Sequence, residues 1–503
     1  MGAARGDGAA EVLVVGAGPS GLTLTLDLAR RGVPVRLLER DDGTFPGSRA
    51  KGVQPRTLEV FDDLGVLAAA QAAGGAYPPI GLHLGPWTAT WRPVTTAEPG
   101  PAVPYPNALM LPQYATTAIL RRAVEDAGVR IDFGTEVTGI VQDAESASAI
   151  LADGARLRAR YLVGTDGGGS IVRNSAGLAF EGSTNDTDRL IIVDGQIDHL
   201  SRDRWHVFPR LNGRVATACP LPDGDDFQIM IKVRRRDPID LAEPALQNLF
   251  AKIVGKRVRL RSVRWASVFR PNVRLVEGYR RGRVLLAGDA AHVHTPAGAQ
   301  GLNTGIQDGY NLGWKLAQVL AGAPGALLDT YEGERRPIAA RVLGRSSELY
   351  NGAKRVRPTA FKRGDEERQL ALTYADGPLS AGSATTLTLR AGDRAPDGTA
   401  LDGRIFDLTR GPHFTLLAFG REAATASQQV AWPSRGAALH RHQAHPGNPR
   451  SAERLGLDAY GITSDTLILI RPDGYVGHIA TRPPSGHLDL TSLTQAIALM
   501  TPP

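Results

Sequence analysis

Three glycines, Gly16, Gly18 and Gly21, and an acid eighteen residues past the last of them, Glu39, form a pattern that could bind a dinucleotide. In Gly16-x-Gly18-x-x-Gly21 the first glycine permits a tight turn, the second lets a pyrophosphate approach the backbone, and the third lets a helix pack closely on a strand. Free N–H groups at the start of that helix would hold the phosphates. Glu39 would accept hydrogen bonds from ribose hydroxyls, and an acid there favours a ribose without a phosphate. In a chain with 58 glycines the spacing alone is a weak signal, because a plain glycine turn reads the same way.

The surrounding elements give the pattern its meaning. Glu11 to Val15 reads as a buried strand, Leu22 to Arg31 has helical spacing and stops at Gly32, and Val33 to Leu38 is again strand-like. The unit is therefore β-α-β. A Pro- and Trp-rich region, Tyr77 to Pro106, precedes a helical segment from Gln113 to Ala127, and strands flank the Asp153-Gly154 turn. Short alternating strands such as Phe227 to Val233 occupy Thr184 to Arg274, before a fully apolar strand returns at Val284 to Ala287. The chain is expected to leave the nucleotide domain and come back to it. Polar residues from Arg355 to Glu367 and the small-residue stretch Leu379 to Thr386 mark a linker, with a further domain after Gly392.

Two further motifs follow apolar strands. One is Gly164-Thr165-Asp166-Gly167-Gly168-Gly169-Ser170-Ile171-Val172-Arg173; the other begins Gly288-Asp289-Ala290-Ala291-His292 and runs through Pro296, Gln300-Gly301, Asn303, Gly305 and Asp308 to Asn311-Leu312-x-Trp314-Lys315-Leu316. With these, the sequence resembles the single-component flavoprotein aromatic hydroxylases, the p-hydroxybenzoate hydroxylase-like class. The nearest likeness is to polyketide and phenol hydroxylases that carry an extra C-terminal domain.

The resemblance implies an α/β fold: a Rossmann-like FAD-binding domain with an inserted mixed β-sheet substrate domain and a C-terminal thioredoxin-like domain. The corresponding boundaries are 1–183 and 275–385 for the FAD-binding parts, 184–274 for the sheet and 386–503 for the tail. It implies FAD as cofactor and NADPH or NADH as transient reductant. Oxygen would add at the flavin C4a position, and the resulting hydroperoxide would hydroxylate an aromatic substrate. Asp289 would bind the ribityl chain, and the backbone after Pro296 would lie at the pyrimidine edge of the ring. Asp289 also reads simply as a helix cap before Ala290. Asp166 and Arg173 would support FAD and the nicotinamide cofactor, Arg49 the FAD phosphate and ring, and Gln113 the flavin side chain. Arg40, Gly288, Gly301, Leu302 and Asn303 complete the cofactor-binding set. The sequence departs from the class at Thr165, where a cysteine is usual and where packing is expected, and at Ala299, usually a glycine.

No catalytic base is assigned. His292 and His294 flank the second motif and are candidates for acid–base work, but helix-start packing or hydrogen bonding is the preferred reading of both. The substrate surface is expected from Thr184 to Arg274, helped by the stretch around Trp87 and Trp91, residues that read equally as core. His440-x-His442-x-x-His445 has metal-like spacing but lacks nearby acids, so a solvated loop is expected and no metal. Leu467 to Arg471 followed by Pro472-Asp473-Gly474-Tyr475 reads as a hairpin of the thioredoxin-like tail, and without Cys-x-x-Cys that tail is structural or oligomeric, not redox-active.

Bulk properties bound the rest. The 503 residues, 42% hydrophobic, suffice for two or three domains with their own cores. Basic residues outnumber acidic ones by 58 to 51, but the excess is dispersed, so nucleic-acid binding is not indicated. A single cysteine, Cys219, excludes an internal disulfide and a cysteine-rich zinc site, and fits a reducing cytoplasm. No segment has the apolar length of a membrane span. The expected partners are an aromatic small molecule and molecular oxygen, in a monomer or homodimer. Rival readings keep the flavin but insert oxygen into a polycyclic ketone or epoxidise a quinone, or make the chain a flavin-binding regulator.

Overall fold

The computed structural model describes residues 10–92, 96–184, 189–222, 224–234, 237–270, 272–295, 300–354, 365–380, 382–386, 388–400, 403–445, 458–483 and 486–503. Pro296, Ala299, residues 1–9 of the lead and residues 355–364 of the expected linker lie outside that set.

Apolar strands with both faces covered build a six-stranded sheet in the order Arg280–Arg281, Val284–Leu286, Tyr161–Gly164, Val12–Val15, Val35–Leu38, Ile131–Asp132. All neighbours run parallel except the Arg280–Arg281 edge. Val12 to Val15 are nearly inaccessible, as a central parallel strand requires. The helix Pro19–Arg30 starts with proline in its first turn and returns the chain to Val35–Leu38. Against it packs the helix Gly301–Ala321, where Gly305, Gly309 and Gly313 recur every four residues. A Cβ at Gly309 would lie 2.7 Å from the Ser20 carbonyl oxygen, so only glycine admits this helix contact.

The chain leaves and re-enters through an antiparallel pair, Phe180–Thr184 with Asn272–Val276. Beyond it lies a mixed seven-stranded sheet ordered Arg259–Phe269, Arg189–Asp198, Asp226–Val233, Val215–Pro220, Trp205–Pro209, Ile80–Leu84, Trp87–Trp91. Alternation puts Ile229, Ile231 and Val233 in a core of their own beneath the helix Glu243–Val254, whose Leu246, Phe250 and Ile253 are fully buried. The Pro/Trp-rich stretch supplies the last two strands, so Trp87 and Trp91 end on the outer edge, 78% and 36% exposed, and belong to no core.

The C-terminal unit is a four-stranded sheet. Phe414–Phe419 runs parallel to Leu439–His445 and antiparallel to Thr466–Ile470, which pairs in turn with Val476–Thr481. With the helices Arg421–Gln429 and Leu490–Met500 this is a thioredoxin-like arrangement. The loop expected at His440 to His445 is instead the strand Leu439–His445: backbone pairing to an apolar neighbour overrides a polar sequence. Phe414–Phe419 is buried on both faces. Phe414, Leu416 and Ala418 join the core of the nucleotide domain, while Leu417 and Phe419 turn to the tail's own core.

Charged groups fix that docking. The buried Glu334 carboxylate accepts from Lys315 Nζ at 2.7 Å, Asn311 Nδ2 at 2.9 Å and Arg471 at 2.6 Å, and Arg471 also bonds Asp473. Arg56 bonds the Asp473 carbonyl at 2.7 Å, and Glu59 accepts from Arg394 at 2.9 Å. Asn311 and Lys315 thus face the tail. Arg471 and Lys315 hold the Glu334 carboxyl at about 2 against the opposing effect of burial. Because its folded value is depressed, the stability it adds is complete above the ordinary carboxylate range and disappears as pH falls toward 2. Glu334→Gln leaves the buried Lys315 without its anion and Arg471 with Asp473 alone, and should cost about 3–5 kcal/mol. Urea unfolding should show this loss at neutral pH and a difference from wild type that shrinks on acidification; an unchanged midpoint would refute it.

Candidate cofactor site

The strand Val12–Val15 delivers the glycine turn to the carboxyl end of the parallel sheet. Gly16 has φ +106°, and a Cβ there would lie 2.6 Å from the Thr165 carbonyl oxygen. At Gly21 a Cβ would meet the Gly16 carbonyl oxygen at 2.0 Å, whereas at Gly18 it would meet no atom within 4 Å. The first and third glycines therefore hold strand and helix together, and the middle one faces open space. No side chain caps the helix at Gly18, so its first N–H groups stay available to an anion. Glu39 accepts from Ala17 N at 2.7 Å and Asp41 N at 3.1 Å. Each carboxylate oxygen keeps a lone pair for a ribose hydroxyl.

Thr165, expected only to pack, donates its hydroxyl 2.8 Å to the carbonyls of Val15 and Gly16 and clamps the glycine turn. Asp166 caps the helix Ile171–Ser175, accepting from Ile171 N at 2.8 Å, Val172 N at 3.2 Å and the Ser170 hydroxyl at 2.5 Å. Its carboxyl is pushed up by burial, with those hydrogen bonds opposing. Arg173 is 4% exposed, donates 3.0 Å to the carbonyls of Ala290 and Gly168, and stacks on Phe180 at 3.9 Å. These two residues frame the loops from inside. Arg40 stands on the surface beside Asp41 at 3.6 Å.

Asp289 is exposed within the 3₁₀ turn Gly288–Ala290 and bonds no described residue. Arg49 lies in its electrostatic reach and over the rings of Phe45 and Trp265, at 5.1 and 5.8 Å. Gln113 opens the helix Gln113–Asp126, its N–H bonded to the Ala50 carbonyl. Leu302 is half-buried in the first turn of its helix, after Gly301, which abuts the His294 ring. Asn303 is fully buried and ties Gln54 N and the Gly52 carbonyl at 2.8 Å each, so it anchors the backbone beyond the Arg49 loop.

His292 is structural: its Nε2 lies 2.6 Å from Asp308, whose other oxygen takes Arg335 at 2.7 Å, all three side chains inaccessible. Arg335 and His292 hold the Asp308 carboxyl low although burial opposes them. The His294 imidazole is pushed down by burial. Sequence reasoning missed the junction beside Arg49. Asp194 accepts from the Ser48 N–H and hydroxyl, Gln228 Nε2 donates to the Ser48 hydroxyl oxygen, and Lys51 donates to Gln228 while lying 4.1 Å over Trp205. Burial pushes Asp194 and Cys219 up and Lys51 down. Only Ser48 and Lys51, flanking Arg49, hinted at it; their partners lie 146 and 177 residues away.

The FAD binding domain family matches residues 9–346, and the chain belongs to that family. It is 40% identical over 483 residues to a flavin-dependent monooxygenase of Mycobacteroides abscessus, covering 93% of this chain and 96% of that one. It is 33% identical to 6-methylpretetramide 4-monooxygenase of Streptomyces rimosus, over 97% of this chain and 94% of that one. Aklavinone-11 hydroxylase, solved with FAD and aklavinone, superposes with a TM-score of 0.81 at 27% identity over 99% of both chains. The chain is a flavoprotein enzyme with FAD as cofactor. The open Gly18 face, the uncapped helix and the unpartnered Asp289 all fit FAD.

The glycines separate two outcomes. Gly18→Ala should leave the melting temperature of the FAD-free chain unchanged yet retain FAD at least about tenfold more weakly, because the methyl occupies the approach to the backbone. Gly21→Ala should lower the melting temperature as well. Flavin absorbance per chain after gel filtration, with thermal unfolding, reads both; equal FAD retention by Gly18→Ala would refute the assignment.

Proposed function

We propose that the enzyme is an NADPH- or NADH-consuming monooxygenase that hydroxylates a polycyclic aromatic substrate of phenolic or polyketide type. The observation carrying this reading is similarity over nearly the whole length to monooxygenases, joined to the bonding of the Arg49 loop onto the seven-stranded sheet. With FAD bound, the chemistry available is activation of molecular oxygen by a reduced flavin and transfer of one oxygen atom to an electron-rich ring.

The protein's share is positioning. Gly16, Gly18 and the helix start hold the pyrophosphate and Glu39 the ribose; Arg49, Gln113, Asp289 and the backbone from Gly301 to Asn303 address the rest of FAD. Ser48 and Lys51, locked onto Asp194 and Gln228, fix the Arg49 loop to strands Arg189–Asp198 and Asp226–Val233. A ring bound against that sheet is thereby held in register with the cofactor and away from bulk water. The lone cysteine, buried and unpaired, suits work in a reducing cytoplasm.

Incubation with a polycyclic phenol, NADPH and isotopically labelled oxygen should yield a product with one labelled ring hydroxyl, and NADPH oxidation faster with substrate than without. A labelled lactone would instead establish ring insertion, and no substrate-stimulated oxidation across phenols and polyketides would overturn this reading of the substrate class.

A further inference from the structure

The two edges of the seven-stranded sheet are treated differently. Arg259–Phe269 carries Arg259, Arg261 and Arg264 and a register shift opposite Asp194 and Gln196, with Ser262 at φ +50°. Charge and a bulge of this kind keep another strand from adding to an edge. The opposite edge, Trp87–Trp91, has neither. Its sequence is Trp-Thr-Ala-Thr-Trp, its five residues are all exposed, and the strand contains no charge, proline or bulge.

That sequence reads the same in both directions. The two-residue turn Gly85-Pro86 closes the pair Leu84 with Trp87, so Trp87, Ala89 and Trp91 bond inward to Ile80–Leu84. The backbone groups of Thr88 and Thr90 then point outward, where no described residue pairs with them. We propose that this edge is a homodimer interface, in which Trp87–Trp91 of two copies pair antiparallel about a twofold axis at Ala89. Thr88 of each copy then exchanges backbone hydrogen bonds with Thr90 of the other. Trp87 faces Trp91 of the other copy at the non-hydrogen-bonded positions, where side chains come closest. The contact is isologous, as a closed twofold dimer requires.

The apolar face supports it. Trp87, Ala89 and Trp91 share one side with Leu84, Leu82 and Ile80, while Thr88 and Thr90 lie with His83 and Arg204 on the other. Trp87 is 78%, Leu84 54% and Trp91 36% exposed. Two copies of these side chains would remove on the order of 800 Å² from water, below the size of stable interfaces and in the range of weak, transient ones. The dimer is accordingly reversible and concentration-dependent.

Sedimentation velocity of the FAD-loaded enzyme across the micromolar range should show monomer passing to dimer. Ala89→Lys, which sets two cations on the axis at an exposed site, should raise the dissociation constant about tenfold or more while the FAD retained per chain stays unchanged. Ala89→Cys should oxidise to a covalent dimer, because the axis brings each copy's residue against itself, whereas Thr88→Cys should not; Cys219 is buried and does not compete. A monomer at every concentration, a dimer indifferent to Ala89→Lys, equal crosslinking of both cysteine variants, or loss of FAD from Ala89→Lys would each overturn the proposal.

Discussion

Two carboxylates that reach no water, Asp308 and Glu334, tie the molecule together through the helix Gly301–Ala321. Asp308, near its start, gathers His292, Arg335 and the Gly288 N–H, and so fixes the loop that presents Asp289. Glu334, on the helix Asp329–Lys354, gathers Lys315, Asn311 and Arg471 and fixes the C-terminal domain. Arg335 and Glu334 are adjacent, so one short segment serves both. A buried carboxylate is tolerable only when several donors converge on it, and each of these has at least three. Whatever displaces Asp329–Lys354 must therefore disturb both the cofactor loop and the docking of the tail.

The nucleotide unit was legible because its signals are local. A strand period, a helical period and three glycines lie within a single β-α-β unit, and Glu39 closes it where the second strand ends. The hairpin after Leu467 was legible for the same reason. The resemblance to flavoprotein hydroxylases extended that reading to Asp166, Arg173 and Asp289, but it marked positions and not contacts. Asp166 and Arg173 prove to be bonded inward, whereas Asp289 is open.

What escaped the sequence is what depends on distant partners. Glu334 and Arg471 are 137 residues apart, and nothing near either distinguishes a buried ion pair from a solvated charge. His292 looked available for proton transfer until Asp308 and Arg335 were seen to enclose it. The histidine-rich strand Leu439–His445 reads as a loop because its polar residues give no alternation; its pairing with Phe414–Phe419 makes it a strand. The tryptophans of Trp87–Trp91 read as core or pocket because a sequence cannot tell an edge strand from a central one.

The tail has no cysteine for thiol chemistry, since the chain's single cysteine lies in the seven-stranded sheet, yet its docking surface holds several buried ion pairs. The apolar contacts of Phe414, Leu416 and Ala418 supply attraction without direction. Arg471 supplies direction, because its planar fork must meet Glu334 and Asp473 together. Buried pairs are poor sources of net stability but can select one arrangement among many of similar apolar area. The tail is thus better understood as a clamp that sets the far end of the helix Gly301–Ala321. The near end of that helix, where Gly301 to Asn303 meet the cofactor loop, inherits its position from that clamp and from Asp308.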